Sequence, residues 1–269
     1  MGMIFCGIDV GSLSGEAVLM EGENLLGYSI VRTSHNSADT AKEALEMVLR
    51  QKGLSEKDIS YTVATGYGRV IVPFAQRNVS EISCHARGAH FVFPSAKTIL
   101  DMGGQDCKAI RCDEKGRLVK FLMNDKCAAG TGRAVEVISS LLEVDLEEVG
   151  RLSLVPGQDL PKISNNCLLF AKSEILALMR EGVAVEGLLG ALCMGIADRV
   201  CELLKRVGIQ QEFVITGGIA KNQGVVKRIE QKLGLAALIP PEPQIIGALG
   251  AALFAMELAG RGALAHRGF

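Results

Sequence analysis

Tryptophan is absent from the 269-residue chain, and aromatic residues make up only 4% of it. Platforms on which bases or sugar rings stack are therefore scarce. Charge of one sign is lacking too: 29 Lys and Arg stand against 30 Asp and Glu, a formal net charge of -1. Binding to nucleic acid by counterion release needs an excess of cations, so this composition argues against a nucleic-acid partner. No apolar run reaches the ~20 residues of a membrane span; the longest uncharged ones are 187–197 and 245–256. The N-terminal apolar stretch is cut at Asp9, too early for a signal peptide. Myristoylation and prenylation motifs are missing as well. These absences predict a soluble, cytoplasmic protein that uses no membrane. Cys-x-x-Cys occurs nowhere, which argues against a zinc ribbon or a ferredoxin-type site within one chain. Neither a Walker A loop nor a Rossmann glycine fingerprint stands between a strand and a helix.

What the chain does have is enough apolar content, 48%, to bury a substantial core, and a length that fits one large domain or two modest ones. Glycine is abundant at 31 residues, so the backbone must often turn tightly or approach something closely. Eight cysteines without a secretory signal read as reduced thiols. Cys6, Cys193 and Cys201 lie in strongly apolar runs and read as core residues.

The chain contains its own duplication. Phe5-Cys6-Gly7-Ile8-Asp9-Val10-Gly11-Ser12 is a short apolar strand ending in an acidic, glycine-bearing turn. Thr98-Ile99-Leu100-Asp101-Met102-Gly103-Gly104-Gln105-Asp106 repeats the pattern, Asp101 following Asp9 by 92 positions. Each turn is followed by two strand-like segments with a hairpin signal between them, 17–20 and 25–31 in the first copy, 107–112 and 118–123 in the second. A helix pattern follows each hairpin, at 38–51 and roughly at 131–142. A further strand, 60–64 or 213–216, then ends in a glycine-rich turn. Two such copies predict an α/β protein of two similar domains with a cleft between them.

Two acidic glycine turns suit a nucleoside triphosphate. Glycines let backbone N–H groups reach phosphate oxygens without a Cβ in the way. Around the first turn the candidates are Gly11, Ser12 and Leu13; around the second, Gly103 and Gly104. Asp9 and Asp101 at strand ends can hold a hydrated Mg²⁺, which prefers few carboxylates and several waters. Gln105 can orient the attacking water, because an amide both donates and accepts. Thr216-Gly217-Gly218-Ile219-Ala220 leaves a strand toward a helix at 221–233, and Gly217, Gly218 and Ala220 can lie against adenosine. In the run 244–252 small residues recur at helical spacing and read as tight helix packing, with Gln244 as the nucleotide contact. Gly66-Tyr67-Gly68-Arg69 reads as a turn connecting domains.

Two cysteines stand apart. Cys127, in Asp125-Lys126-Cys127-Ala128-Ala129-Gly130-Thr131-Gly132, and Cys167, in Ser164-Asn165-Asn166-Cys167, each directly precede a helix pattern. A helix N-terminus stabilises the thiolate, the form that binds metal. The small neighbours of Cys127 leave room for a bulky group and offer backbone donors to sulfides. Cys84, Cys107 and Cys112 remain alternatives, although each falls inside a strand- or helix-like run.

These motifs resemble those of the acetate kinase, sugar kinase, Hsp70 and actin superfamily, a duplicated ribonuclease H-like ATPase fold. More specifically, the chain resembles the ATP-dependent activators (archerases) of 2-hydroxyacyl-CoA dehydratases, in the BadF/BadG/BcrA/BcrD ATPase family, from about residue 4 to 256. The most specific stretches are 64–69, 81–86, 123–133 and 166–171. The resemblance implies domains at 1–95 and 96–269, with a C-terminal helix at about 246–260 packing back on the first and the cluster cysteines in the second. It implies ATP/ADP and Mg²⁺ as ligands, and Cys127 and Cys167 as ligands of a [4Fe–4S] cluster. Four thiolates at two per chain then imply a homodimer with the cluster shared. ATP hydrolysis would drive one low-potential electron into a partner 2-hydroxyacyl-CoA dehydratase, with reduced ferredoxin or flavodoxin as donor and with sensitivity to oxygen. Two positions depart from the pattern: Glu16 stands where activators often carry Lys, and Lys172 where an acidic residue is frequent. A benzoyl-CoA reductase-type ATPase subunit, a sugar kinase and a non-catalytic actin-like scaffold are the competing readings.

Overall fold

The computed structural model describes residues 2–124, 131–155, 160–165 and 167–265, with side chains through residue 260. In chain order, the first elements are β1 (Ile4–Val10), β2 (Ser14–Glu21), β3 (Asn24–Arg32), α1 (Ser37–Lys52), β4 (Ile59–Thr65), β5 (Arg77–Asn78) and α2 (Glu81–Val92). Next come β6 (Thr98–Met102), β7 (Cys107–Cys112), β8 (Leu118–Met123), α3 (Gly132–Leu141), α4 (Val149–Leu152), α5 (Leu168–Arg180) and α6 (Val185–Val207). The last are β9 (Phe213–Thr216), α7 (Gln223–Leu233) and α8 (Ile246–Ala265). They form two compact units. One is built from the chain up to Ser95, Cys112–Leu118 and the chain from Gln244 onward; the other from Ala96–Arg111 and Val119–Pro243.

The first unit holds a five-stranded sheet in the order β3-β2-β1-β4-β5. β1 is antiparallel to β2 and parallel to β4. Every residue of β1 is buried, because helices cover both faces. Successive side chains of a strand alternate between faces. Ile4, Cys6, Ile8 and Val10 accordingly meet Ala41, Ala44, Leu45 and Val48 of α1, while Phe5 on the other side packs with Cys84 of α2 and Ala251 and Ala255 of α8. α1 starts where Asn36 Oδ1 accepts from Ala38 N (2.9 Å) and stops at Gly53 in the left-handed region. α8 lies so close to β1 that a Cβ on Gly7 would come within 1.9 Å of the Ala248 carbonyl oxygen.

By length and composition the 18 residues 243–260 pass as a membrane span, as mostly buried core helices also do. In the fold this segment is a core helix, 61% buried, packed on α2, β1 and β4.

The second unit repeats the plan with four strands, β8-β7-β6-β9. β6 is antiparallel to β7 and parallel to β9. Leu188, Leu192, Ile196 and Val200 of α6, at helical spacing, bury one stripe with Leu100, Phe213 and Ile215 of the sheet and Ile138 of α3. α7 begins at Gln223 rather than at Lys221. A single 3-10 turn, Gly218–Lys221, precedes it, and Asn222 Oδ1 caps it by accepting from Val225 N (3.1 Å).

The duplication holds down to strand register. Asp9 lies opposite Glu16 on one side and Thr65 on the other; Asp101 lies opposite Lys108 and Thr216.

Candidate functional site

In the first unit, Asp9 is the penultimate residue of β1 and is 7% exposed. His85 of α2 brings Nε2 to 4.0 Å from Asp9 Oδ2. The turn after β4 passes directly beside this carboxylate. Gly66 has φ +88, and a Cβ there would lie 2.4 Å from Asp9 Oδ1. Gly68 N donates to Val10 O (2.9 Å) and Arg69 Nη1 to Gly66 O (2.9 Å). The stretch 66–69, expected to connect domains, instead belongs wholly to the first unit and shapes the wall beside Asp9; the strand register of β1 and β4 puts it there.

Gly11 N donates to Ser14 O (2.9 Å) and closes the turn expected to hold phosphate. Thr33 is its backstop: its Oγ1 donates to Gly11 O and its N to Leu13 O, both at 2.9 Å. Because a peptide's N–H and C=O point in opposite directions, the N–H of Ser12 faces away from Thr33. Gln244, expected at the nucleotide, donates from Nε2 to Ser14 Oγ (2.9 Å) and Glu16 Oε1 (3.1 Å), fastening the start of α8 to this hairpin. Glu16 is 4% exposed.

In the second unit, Asp101 is buried at the end of β6, with Thr216 Oγ1 3.4 Å from its Oδ1. Gly217 repeats the role of Gly66: φ is +84, and a Cβ would lie 2.8 Å from Asp101 Oδ1 and 2.4 Å from Met102 O. Lys108 was not foreseen from the sequence. Its ammonium is buried, 3.4 Å from Asp101 Oδ2 and 2.7 Å from Asp106 Oδ1. The charge at this register position is thus reversed between the copies, Glu16 in one and Lys108 in the other. Both lie seven residues after their aspartate, a spacing that only the repeat alignment makes visible.

Gly103 N donates to Asp106 O (3.0 Å) and closes the second turn. The first amides of α3 hold its carbonyls, Gly132 N donating to Gly103 O (3.1 Å) and Arg133 N to Gly104 O (2.9 Å). The N–H groups of Gly104 and Gln105 are thereby aimed away from α3. Gln105 is exposed at the tip. Beyond β9, Gly217 and Ala220 are buried and Gly218 is exposed; Gly217 N donates to Pro243 O (2.9 Å) and Ala220 N to Gly217 O (3.1 Å).

Cys127 lies outside the described residues. Cys167 directly precedes α5 in an extended conformation and is half-buried, the one cysteine among those described that is not buried. Lys172 is exposed on α5, as are Leu169 and Phe170. Burial pushes the thiols of Cys6, Cys84 and Cys107 up to about 12 and that of Cys201 to about 11, and raises that of Cys193. Such thiols resist becoming thiolates. Cys84 and Cys107 are core residues by this measure, and Cys112 is buried in β7.

Two strand–hairpin–helix–strand copies, each ending its first strand in a buried aspartate beside a glycine turn, define an actin-like ATPase fold. The chain belongs to the BadF/BadG/BcrA/BcrD ATPase family, whose model matches residues 6–255. It is 44% identical over 258 residues to the activator of lactoyl-CoA dehydratase of Anaerotignum propionicum, covering 96% of this chain and 99% of that protein. Among solved structures, the activator of the 2-hydroxyisocaproyl-CoA dehydratase from Clostridium difficile with bound ADPNP matches with a TM-score of 0.92, 38% identity and 97% coverage of both chains. A subunit of the benzoyl-CoA reductase of Thauera aromatica is 31% identical, covering 93% of this chain and 92% of that protein.

Proposed function

We propose that this ATPase is an electron-transfer activator of a 2-hydroxyacyl-CoA dehydratase, working as a homodimer around one [4Fe–4S] cluster. The observation that carries the reading is the chain-long likeness to a named dehydratase activator, 44% against 31% for the benzoyl-CoA reductase subunit. Asp9 and Asp101 are the carboxylates for hydrated Mg²⁺. Each stands where glycine keeps a Cβ out of van der Waals range, as a site for phosphate and metal requires. The Ser12, Gly104 and Gln105 amides donate to phosphate oxygens, and the side chain of Gln105 orients the attacking water. Gly217, Gly218 and Ala220 form the adenosine wall.

The donor set suits a cluster shared between copies. With five thiols raised by burial and Cys112 buried in β7, Cys167 and Cys127 are the two cysteines per chain left to ligate it. When bound, such a cluster supplies one-electron chemistry at low potential. The chain's own part is to couple the two events. Nucleotide must favour the conformation that docks on the dehydratase over the resting one, since a ligand shifts an equilibrium only by its differential affinity. Reduced ferredoxin or flavodoxin supplies the electron, and oxygen inactivates the holoprotein.

The test is reconstitution. Chain purified without oxygen and reduced with dithionite is mixed with Mg-ATP and, in turn, lactoyl-CoA, 2-hydroxyisocaproyl-CoA and 2-hydroxyglutaryl-CoA dehydratases. Dehydration that requires both ATP and the chain is expected with at least one. ATP turnover without activation of any of the three would contradict the reading.

A further inference from the structure

The two copies support their aspartates differently. In the second unit, Asp101 has a donor from each neighbouring strand: Lys108 Nζ stands 3.4 Å from Oδ2 and Thr216 Oγ1 3.4 Å from Oδ1. The same register positions around Asp9 hold Glu16 and Thr65. An ionised Glu16 has no proton to donate, and its Oε1 already accepts from Gln244. Thr65 Oγ1, fully buried, makes no hydrogen bond to Asp9. Neither strand neighbour therefore takes the part played by Lys108 and Thr216.

What reaches Asp9 instead comes from a helix. His85 of α2 is 5% exposed and brings Nε2 to 4.0 Å from Oδ2. The packing leaves the ring little choice of position. α2 lies on α8 through glycine contacts: a Cβ on Gly88 would overlap Ile246 O, and one on Gly250 would overlap Cys84 O. Gly247, in the first turn of α8, backs against both partners; a Cβ there would overlap Asp9 Oδ2 and lie 2.9 Å from His85 Nε2. At 4.0 Å the pair is within ion-pair range but longer than a direct hydrogen bond. The ring thus steers the carboxylate and leaves its lone pairs open. Burying an imidazole gains nothing by itself, so its aim at Oδ2 is the feature to explain.

We propose that His85 is a positioning residue of the ATP site, holding the Asp9 carboxylate from its Oδ2 side as Lys108 holds Asp101 in the other copy. The proposal rests on the reading of Asp9 as a carboxylate for Mg²⁺ and deepens it. A carboxylate already held at one oxygen need not reorganise when metal-bound nucleotide arrives. Losing such a supporting partner costs about 10–100-fold in metal affinity. His85 itself touches neither nucleotide nor metal in this scheme. A histidine that merely filled the space between α2 and α8 would influence stability and leave the metal requirement unchanged.

The experiment compares full-length wild type with His85→Leu, His85→Asn and His85→Gln. Leucine fills the space without a donor, asparagine's amide stops short of Asp9, and glutamine's can bring an N–H to where Nε2 stands. The readout is ADPNP affinity by calorimetry across a series of Mg²⁺ concentrations, with the melting temperature of each variant. In wild type, affinity should rise with Mg²⁺. His85→Leu should need about 10–100 times more Mg²⁺ for the same affinity, and His85→Gln should return to within a few-fold of wild type. His85→Asn should behave as His85→Leu, and the Asn–Gln pair carries the test if the leucine variant fails to fold. An unchanged Mg²⁺ requirement in His85→Leu or in His85→Asn, or no recovery in His85→Gln, overturns the proposal, whatever the melting temperatures. A wild type that binds no ADPNP, or binds it regardless of Mg²⁺, overturns the metal-site reading beneath it.

Discussion

Gly217 and Gly182 share a φ of +84 but not their surroundings, and this makes a matched pair of substitutions informative. Gly182 has nothing within 4 Å of where a Cβ would sit. Gly182→Ala therefore meets backbone strain alone, about 1 kcal/mol for a left-handed residue. Gly217 has ψ 171, a region open to glycine almost exclusively. Its Cβ would also lie 2.4 Å from Met102 O and 2.8 Å from Asp101 Oδ1. Adding about 2 kcal/mol for the backbone to about 2 kcal/mol for the forced overlap gives roughly 4 kcal/mol for Gly217→Ala. At about 3 °C per kcal/mol for a chain of this size, the melting temperature should fall by about 3 °C in Gly182→Ala and about 12 °C in Gly217→Ala. The functional difference is larger, since Asp101 must give way. A carboxylate displaced by about an ångström should lower ATP turnover by about 100-fold, while Gly182→Ala stays near wild type. Phosphate release at saturating Mg-ATP, measured below both melting temperatures, provides the comparison. Wild-type turnover in Gly217→Ala would refute the claim that this glycine keeps space clear for Asp101.

Four further outcomes follow from the same geometry. Lys108→Met removes the ammonium between Asp101 and Asp106 and should destabilise the chain by about 3 kcal/mol, as breaking a buried pair does; denaturant titration checks it, and ATP turnover should fall with it. Glu16→Lys places an ammonium in the cross-strand position opposite Asp9 and should tighten ADPNP binding about tenfold by calorimetry; unchanged affinity would remove Glu16 from the site. In cluster-free native protein, iodoacetamide should modify Cys167 while Cys6, Cys84 and Cys107 stay unmodified until the chain unfolds, as peptide mass spectrometry would show. The same three thiols, raised from 9.0 to about 12 by burial, ionise in the unfolded chain before they do in the folded one. Their contribution to stability is complete below about pH 9 and is lost as pH rises toward 12, so denaturant midpoints should fall steadily from about pH 9 to about pH 12.

The features readable in the sequence are those written locally. Asp9 and Asp101 announce themselves because each ends an apolar run at a glycine turn, twice over. α1 was legible to within a residue at each end, since Asn36 and Gly53 punctuate it. What escaped depends on strand register and on helices returning from far along the chain. Gly66 reaches Asp9 only through the parallel pairing of β1 with β4, and His85 only because α2 packs on the same face. Lys108 is an unremarkable residue of a strand until the repeat sets it against Glu16. Gln244 was singled out, but its bonds to Ser14 and Glu16 could not be read from the sequence, because they need α8 to come back to a hairpin more than 200 residues earlier. Cys127 and Cys167 stood out by position, and only the family likeness separated them from Cys84 and Cys107; desolvation of those two thiols supplies the physical reason.

Iron content is the most direct measure of the central claim. Chain purified without oxygen should carry about two iron atoms and two sulfides each, half of a four-iron cluster, and should lose them in Cys127→Ala and in Cys167→Ala. A colourless protein without iron, or full iron retained in either variant, would contradict it.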